Sequence, residues 1–359
     1  MSKVFEQEEL PAIDLGYFNR MTDGTGMLQH STHSVPCFKT GYTTDDNARA
    51  LVAVLWLKGF FPKAQIEELA IRYLAFIHYC QKEDGTFHNH VSFDRRFLDE
   101  QGSWDCFGRV LWACGFALSS SLNENIKAVA KKIIDEAMPH IALLNDPRPI
   151  AFALMGVHFY SKARPEQQDL VEKASRLGMK LVSLLEENSS PGWAWFEDIL
   201  TYCNARMPQA LFLAFESTGE KRFLEAAEKS YAFLKGKTFD SGMFVPVGQD
   251  GWLPSQGEKA LFDQQPIEAG CMAEAALAAF NSTGKRIYAE DALVSFQWFL
   301  GKNTLKEPLF DSTMSACFDG LTKEAPNFNQ GAESTIAFLM ARLAVEELIR
   351  KEESELAVD

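Results

Sequence analysis

The sequence is short of basic charge, of long apolar runs and of paired cysteines. Its 359 residues carry 35 Lys and Arg against 49 Asp and Glu, a formal net charge of −14. A chain of that sign repels phosphate backbones, and no Lys/Arg-rich block with interleaved aromatics offsets the repulsion locally, so nucleic acid is not an expected partner. The longest apolar stretch near the N-terminus, residues 50–57, stops at Lys58. That is far below the roughly 20 residues that span a bilayer, and no membrane partner is expected. The opening MSKVFEQEEL is acidic and has no apolar h-region, which makes the cytoplasm the expected compartment. The seven cysteines (37, 80, 106, 114, 203, 271 and 317) are odd in number, scattered and free of any C-x-x-C pair. Neither a disulfide framework nor a cysteine zinc site follows from such spacing. His30 and His33, or His88 and His90, are spaced as metal ligands can be, but no third ligand motif lies near them. Neither metal nor cofactor is expected, and the histidines are read as hydrogen-bonding groups.

What the sequence does hold is apolar mass in a helical rhythm. Hydrophobic residues make up 47% of the chain, with 28 Phe, 7 Trp and 8 Tyr to bury, so a packed core is expected. A shift of 65 positions lays Ser217-Thr218-Gly219 on Ser282-Thr283-Gly284, Glu225 on Glu290, Phe215 on Phe280 and Gly236 on Gly301. The repeating unit is two helices joined by an S-T-G turn. Apolar residues at i, i+3, i+4 and i+7 predict first helices starting near Asp45, Asp105, Arg148, Asp198, Asp263 and Ala332. Second helices fall near 64–82, 124–140, 165–188, 220–235 and 285–301, with 12–24 available as a sixth. First helices such as ALVAVLWL and EAGCMAEAALAAF are apolar nearly all round, whereas KRFLEAAEKSYAFLKG keeps a charged face. The first set therefore forms an inner ring and the second an outer one.

The predicted fold is all-α, an (α/α)6 toroid with short β-hairpin loops on one rim. It is read as one domain over residues 1–359, with 1–27 as an N-terminal lead-in and 346–359 as a C-terminal helix end and tail. An open α-solenoid is the alternative. The connectors that lead into first helices are long, aromatic and acidic, as in DGTFHNHVSFDRRFLDEQGSWD. Inner helices that run parallel bring their starts to one end, where such loops wall a funnel.

The residues delivered to that funnel are Tyr42, Asp45, Asp46, Asn47 and Arg49; Trp104, Asp105 and Arg109; Arg148; Trp193, Trp195, Glu197, Asp198, Tyr202, Asn204 and Arg206; Asp263, Gln264, Gln265 and Glu268; and Asn329, Gln330 and Glu333. Acids, amides and indoles suit the hydroxyls and apolar face of a sugar, whereas phosphate needs glycine amides or clustered cations. A single acid in a first helical turn can be a cap and nothing more. Consecutive acids, as in Asp45-Asp46 and Glu197-Asp198, add a repulsion that no cap requires and that raises a carboxyl pKa. A carboxylic acid held protonated beside a second carboxylate is what glycosidic cleavage uses. The alternation in G-W-A-W-F-E predicts a strand that aims Trp193, Trp195 and Glu197 at one place. Pro208 interrupts any helix running on from Asp198, through either a fresh start near Asn204 or a kink.

The strings HSVPCFKTGYTTDDNARAL, GSWDCFGRVLWA, WFEDILTYCNARMPQALFLA, LFDQQPIEAG and NQGAESTIAFL resemble a bacterial family of helical domains. Its members occur alone or fused behind retaining-type glycosyltransferases, and are often encoded beside mannoside phosphorylases. The resemblance covers about residues 28–345 and implies a six-hairpin-glycosidase toroid acting on carbohydrate, with a glycosyltransferase or phosphorylase as pathway partner. Members read closer to G-S-E-D-S-H-G-R in the second motif; here Trp104, Cys106 and Phe107 replace the Glu, Ser and His, leaving Asp105 and Arg109.

The expected activity is glycoside hydrolysis of a short oligosaccharide, mannose-containing ones included, by two carboxylates. Inversion is what the resemblance implies. Asp46 is one carboxylate and Glu197 or Asp198 the other, with Asp263, Glu268 and Glu333 in reserve. The rivals are a non-catalytic sugar-binding module that partners a transferase, and a toroid lyase or epimerase. An epimerase requires histidines in the funnel.

Overall fold

The computed structural model describes residues 10–356. Among them the helices are α1 (Gly16–Arg20), α2 (Thr44–Trp56), α3 (Lys63–Cys80), α4 (Trp104–Ser119), α5 (Glu124–Ala137), α6 (Pro147–Ala163), α7 (Gln168–Asn188), α8 (Arg206–Thr218), α9 (Lys221–Thr238), α10 (Pro266–Thr283), α11 (Arg286–Gln297) and α12 (Ala332–Leu356). The even-numbered helices pack side by side in the order α2, α4, α6, α8, α10, α12, and α12 returns to α2. That last contact closes the ring and overturns the open solenoid. Each odd helix from α3 to α11 packs outside the even helix before it. The fold is thus the (α/α)6 toroid.

Burial separates the two rings. In α10 every residue from Pro266 to Ala279 is buried, whereas α7 buries only Leu170, Ala174, Leu177, Gly178, Leu181, Val182 and Leu185, one stripe of an amphipathic helix. The sixth outer position is the exception. Only the short helix α1 forms where 12–24 is expected. Leu15, Tyr17, Phe18, Met21 and Met27 nevertheless join the core, so the segment read as a lead-in closes the outer ring with side chains rather than a full helix. At the other end, α12 continues to Leu356 through most of the expected tail.

The S-T-G repeat is a repeated C-cap. Gly219 and Gly284 both take left-handed φ values, 72° and 66°, and donate their N–H to Phe215 O and Phe280 O. Only glycine enters that region without a Cβ penalty, which is why both units end on it. Gly236 and Gly301 coincide in the register but not in role, since Gly236 lies inside α9 while Gly301 terminates a 3-10 turn at φ 94°.

Two starts differ from expectation. No helix begins at Asp198: residues 199–200 pair instead with 253–254, and α8 opens afresh at Arg206. Pro208 then falls in the first turn, where its missing N–H has no carbonyl to lose. Likewise α10 begins at Pro266 after a Gln265 cap, not at Asp263. The rim carries the expected short strand pairs, among them 42–43 with 90–91, 310–311 with 316–317, and 320–321 with 326–327.

Helices α4 and α6 touch at backbone level. A Cβ on Gly115 would lie 2.1 Å from Gly156 O, and one on Gly156 would lie 2.4 Å from Leu111 O. Both obstructing atoms are backbone and cannot turn aside. Gly156→Ala is expected to lower unfolding stability by about 3 kcal/mol, measured by urea denaturation; an unchanged midpoint would show that the two inner helices are not packed at this distance.

Candidate active site

The inner-helix starts converge at one rim, but they do not contribute equally. An open cavity of about 480 Å³ is lined at the start of α2 by Thr43, Asp45, Asp46 and Arg49, at the approach to α10 by Asp263, Gln265 and Pro266, and at the start of α12 by Gly331, Glu333 and Ser334. Loops add Gln29, His30, Asn89, His90, Gln249, Asp319 and Asn327. Helices α4, α6 and α8 send no side chain to its lining.

The α2 start is built reciprocally. Thr43 caps the helix by accepting from Asp46 N (3.0 Å) and donates its hydroxyl to Asp46 Oδ2 (2.5 Å). The Asn89 segment docks on the same turn, receiving Thr44 N at Asn89 O (2.9 Å) and Asp45 N at Asn89 Oδ1 (3.1 Å). Arg49, one turn on, reaches three carboxylates: Asp45 Oδ1 at 2.8 Å, Asp46 Oδ1 at 2.9 Å and Glu333 Oε2 at 2.9 Å. Asp45 also pairs with Arg109 from α4, whose guanidinium lies 4.5 Å from the Phe152 ring centroid.

These partners divide the two aspartates. Burial opposes ionisation of Asp45, but the Arg109 and Arg49 charges outweigh it and hold the carboxyl below its ordinary value. Burial pushes Asp46 up to about 6, with Arg49 opposing and the Asp45 charge reinforcing the shift. Asp45 stays a carboxylate while its neighbour is able to carry a proton near neutrality. Burial also raises Asp263, which lies beside Gln265, and Asp319, which accepts from Gly331 N (2.6 Å) and Ser334 Oγ.

The other expected residues are brought to this rim without reaching the cavity. Arg148 donates to Glu197 Oε2 (2.7 Å), Tyr202 O (2.6 Å) and Thr201 Oγ1 (2.5 Å), lashing the 197–204 loop to the start of α6. Tyr202 OH donates to Asp105 Oδ2 (2.6 Å), and Asn204 Nδ2 donates to Glu268 Oε2 (2.9 Å). Glu268, which also accepts from Cys203 N, is pushed up by burial to about 7, against those hydrogen bonds. It supports the loop from beneath.

Several of the expected residues are engaged away from the cavity. Trp193 and Trp195 are 4% and 0% exposed and both pack on Phe233, so neither offers a face to a sugar. Glu197 diverges from them to Arg148, and the exposed Asp198 lies outside the cavity. Trp104 packs edge-on to Phe107. Tyr42 donates to Asp23 Oδ2 (2.6 Å), and Asn47 holds Met27 through both backbone groups. Arg206 is a buried partner of Glu274 (2.7 Å) stacked over Trp112. Gln264 bonds Leu261 O, Thr304 and Trp298, and Gln330 bonds Asp311. These groups organise the protein interior, where an unpaired polar atom is costly.

His30, His90, Asn89, Gln249 and Asp319 are cavity residues that the sequence reading does not assign. His90 arrives there because it pairs with Thr43, and Asp319 because its connector folds back onto α12. The sequence signal for His30 and His90 is their short spacing from His33 and His88, which points to hydrogen-bonding groups without placing them in a cavity.

No protein-family model matches this chain, and no curated protein does. Among solved structures it is similar to a D-mannose isomerase at 13% identity, covering 92% of this chain and 94% of that one with a TM-score of 0.69. Similarity extends to the cellobiose 2-epimerase of Bacillus thermoamylovorans B4167 at 10% identity, with coverages of 94% and 96% and a TM-score of 0.72. A GH76 alpha-1,6-mannanase of Salegentibacter sp. HEL1_6 follows at 15% identity, coverages of 93% and 96% and a TM-score of 0.63. That structure is of an inactive variant, with two adjacent aspartates changed to asparagine, in complex with alpha-1,6-mannotriose. At such identities the likeness establishes the fold. Among the described residues, no helix is long and apolar enough to cross a membrane.

The division between Asp45 and Asp46 is open to direct measurement. Asp45→Asn removes the repelling charge and frees Arg49 for Asp46, so the Asp46 titration is expected to move below pH 6, followed through carboxyl carbon-13 shifts. A midpoint that stays or rises would refute the electrostatic account of the pair.

Proposed function

We propose that this protein is a glycoside hydrolase acting on a short oligosaccharide, the terminal ring of which occupies the cavity between α2, α10 and α12. The observation that carries this reading is Asp46, a protonatable carboxyl lining the cavity beside a neighbour fixed as a carboxylate. In this mechanism Asp46 donates its proton to the departing glycosidic oxygen, and Asp263, on the far side of the α12 start, is the second carboxylate. Burial makes Asp263 a stronger base, which suits it to activating water. Arg49 and Glu333 hold Asp46 in place through the charge cluster. The GH76 neighbour, described as an alpha-1,6-mannanase in complex with a mannotriose, supports the substrate class.

A second reading has its own observation. His30 and His90 line the same cavity, and an imidazole nitrogen can accept a proton from a sugar carbon. That arrangement, with the mannose isomerase and cellobiose epimerase among the neighbours, favours an isomerase or epimerase.

One experiment separates the two: proton NMR of manno- and gluco-disaccharides incubated with the protein in deuterium oxide. Hydrolysis appears as new reducing ends with the C2 proton retained, whereas epimerisation exchanges that proton without cleavage. For the hydrolase, Asp46→Asn is expected to cut turnover by about 10²- to 10⁴-fold with the melting temperature kept, and Glu197→Gln to leave turnover near wild type. The wild-type rate should fall as pH rises through about 6, where Asp46 loses its proton. Full activity in Asp46→Asn would remove the assignment.

A further inference from the structure

The rim beside the cavity exposes rings for which the proposed chemistry has no use. Phe38 is 55% exposed and Phe93 46%, yet their rings lie stacked, with centroids 4.6 Å apart and planes at 22°. Behind them Phe93 runs nearly parallel to the buried Tyr42, at 6.2 Å and 13°, and Tyr42 is itself tied to Asp23. The stack is anchored at its inner end and faces solvent at its outer end, Phe38. A lone surface phenylalanine turns freely, whereas one held in a three-ring stack is ordered before any ligand arrives, which lowers the entropic cost of binding.

The stack grows from the hairpins that wall the cavity. Cys37 N donates to His30 O (2.9 Å), so Phe38 follows directly on the rung opposite a cavity residue. Phe93 follows the rungs that pair His90 with Thr43 and Val91 with Tyr42, and both His90 and Thr43 line the cavity. Polar groups fringe the rings: Lys39 is exposed next to Phe38, and the Asp94–Arg96 pair (2.8 Å) and Arg95 follow Phe93. A ring-sized apolar face with charged donors and acceptors at its edge matches a pyranose, whose C–H face is apolar and whose rim is hydroxylated.

We propose that the Phe38–Phe93 stack is a distal sugar subsite, receiving one unit of an oligosaccharide whose terminal ring sits in the cavity. This rests on the proposed action on oligosaccharides and extends it to a substrate class, chains longer than a disaccharide. Phe38 touches no proposed catalytic group, so its removal changes the reach of the site and not its chemistry.

The test is calorimetric binding of manno- and gluco-oligosaccharides of two to six units to wild type, Phe38→Ala and Phe38→Trp, with sedimentation of each protein. Wild-type affinity is expected to climb beyond the disaccharide. Phe38→Ala should lose about tenfold on the longer chains, equivalent to about 1.4 kcal/mol, and nothing on the disaccharide, while Phe38→Trp retains the gain. Equal loss at every length, or no loss at any, with disaccharide still bound and processed, would overturn the subsite and leave the proposed function standing. The exposed Val35 and Leu98 nearby make self-association the rival role. A dimer that Phe38→Ala dissociates would likewise overturn the subsite. Binding of no sugar at any length would remove both readings together.

Discussion

Arg49 stands at the seam of the ring. It belongs to the first inner helix, α2, and its pairing with Glu333 joins that helix to the last, α12. The seam is laced further by chain segments some 300 residues apart: Tyr17 OH donates to Gln330 O (2.8 Å), Gln330 N to Ser31 Oγ (2.8 Å) and Ala332 N to Gln29 O (3.0 Å). The cavity lies on this seam, bounded by residues 29–49 on one side and 319–334 on the other. Closing so long a loop is entropically opposed until the intervening hairpins are packed. The site therefore comes into being only when the ring does.

Stability alone does not account for what sits there. Desolvating Arg49, Asp45, Asp46 and Arg109 costs several kcal/mol per ion, and apolar residues of similar volume often serve a fold as well or better. The seam instead gathers charge, with Asp319 and Glu333 added from the α12 side. Buried charge also occurs as the closed Arg206–Glu274 pair, but at the seam it borders an open cavity, the usual mark of a site kept for chemistry. The opposite half of the rim shows the contrast. There Arg148, Tyr202, Asn204 and Glu268 spend their hydrogen bonds on one another and on the 197–204 loop. Polar residues gather there too, but they are bonded to one another rather than turned to the cavity.

The rings of helices were legible because their signals are local and repeated. All-round apolar segments mark inner helices, one-sided segments mark outer ones, and the S-T-G cap recurs with its left-handed glycine. The helix starts at 206 and 266 were not, because an acid ahead of an apolar run looks like a cap whether or not the chain turns helical there. Asp198 and Asp263 belong to loops held by pairing with 253–254 and 321, partners that no local pattern reveals. Pro208 and Pro266, each in a first turn, were the better signals. Trp193 and Trp195 do face one way, as their alternation suggests, but what they face is Phe233 of α9. In the same manner His90 reaches the cavity through Thr43, almost fifty residues away. Identity and spacing brought the candidates to one rim; strand pairing decided which of them see the cavity.

Asp45 and Asp46 show how a symmetric feature of sequence becomes an asymmetric one in space. Successive residues of a helix point about 100° apart, so two adjacent acids on an inner helix of a ring turn toward different surroundings. Asp45 meets Arg109 on α4, the next helix round, and is fixed as a carboxylate. Asp46 meets its own cap, Thr43, and shares Arg49 with both Asp45 and Glu333. One guanidinium divided among three carboxylates neutralises none of them completely, and the most enclosed of those not claimed by a second arginine is the one that burial pushes toward protonation. The acid is thus specified less by its own position than by where the second arginine stands, on the neighbouring helix and on one side only.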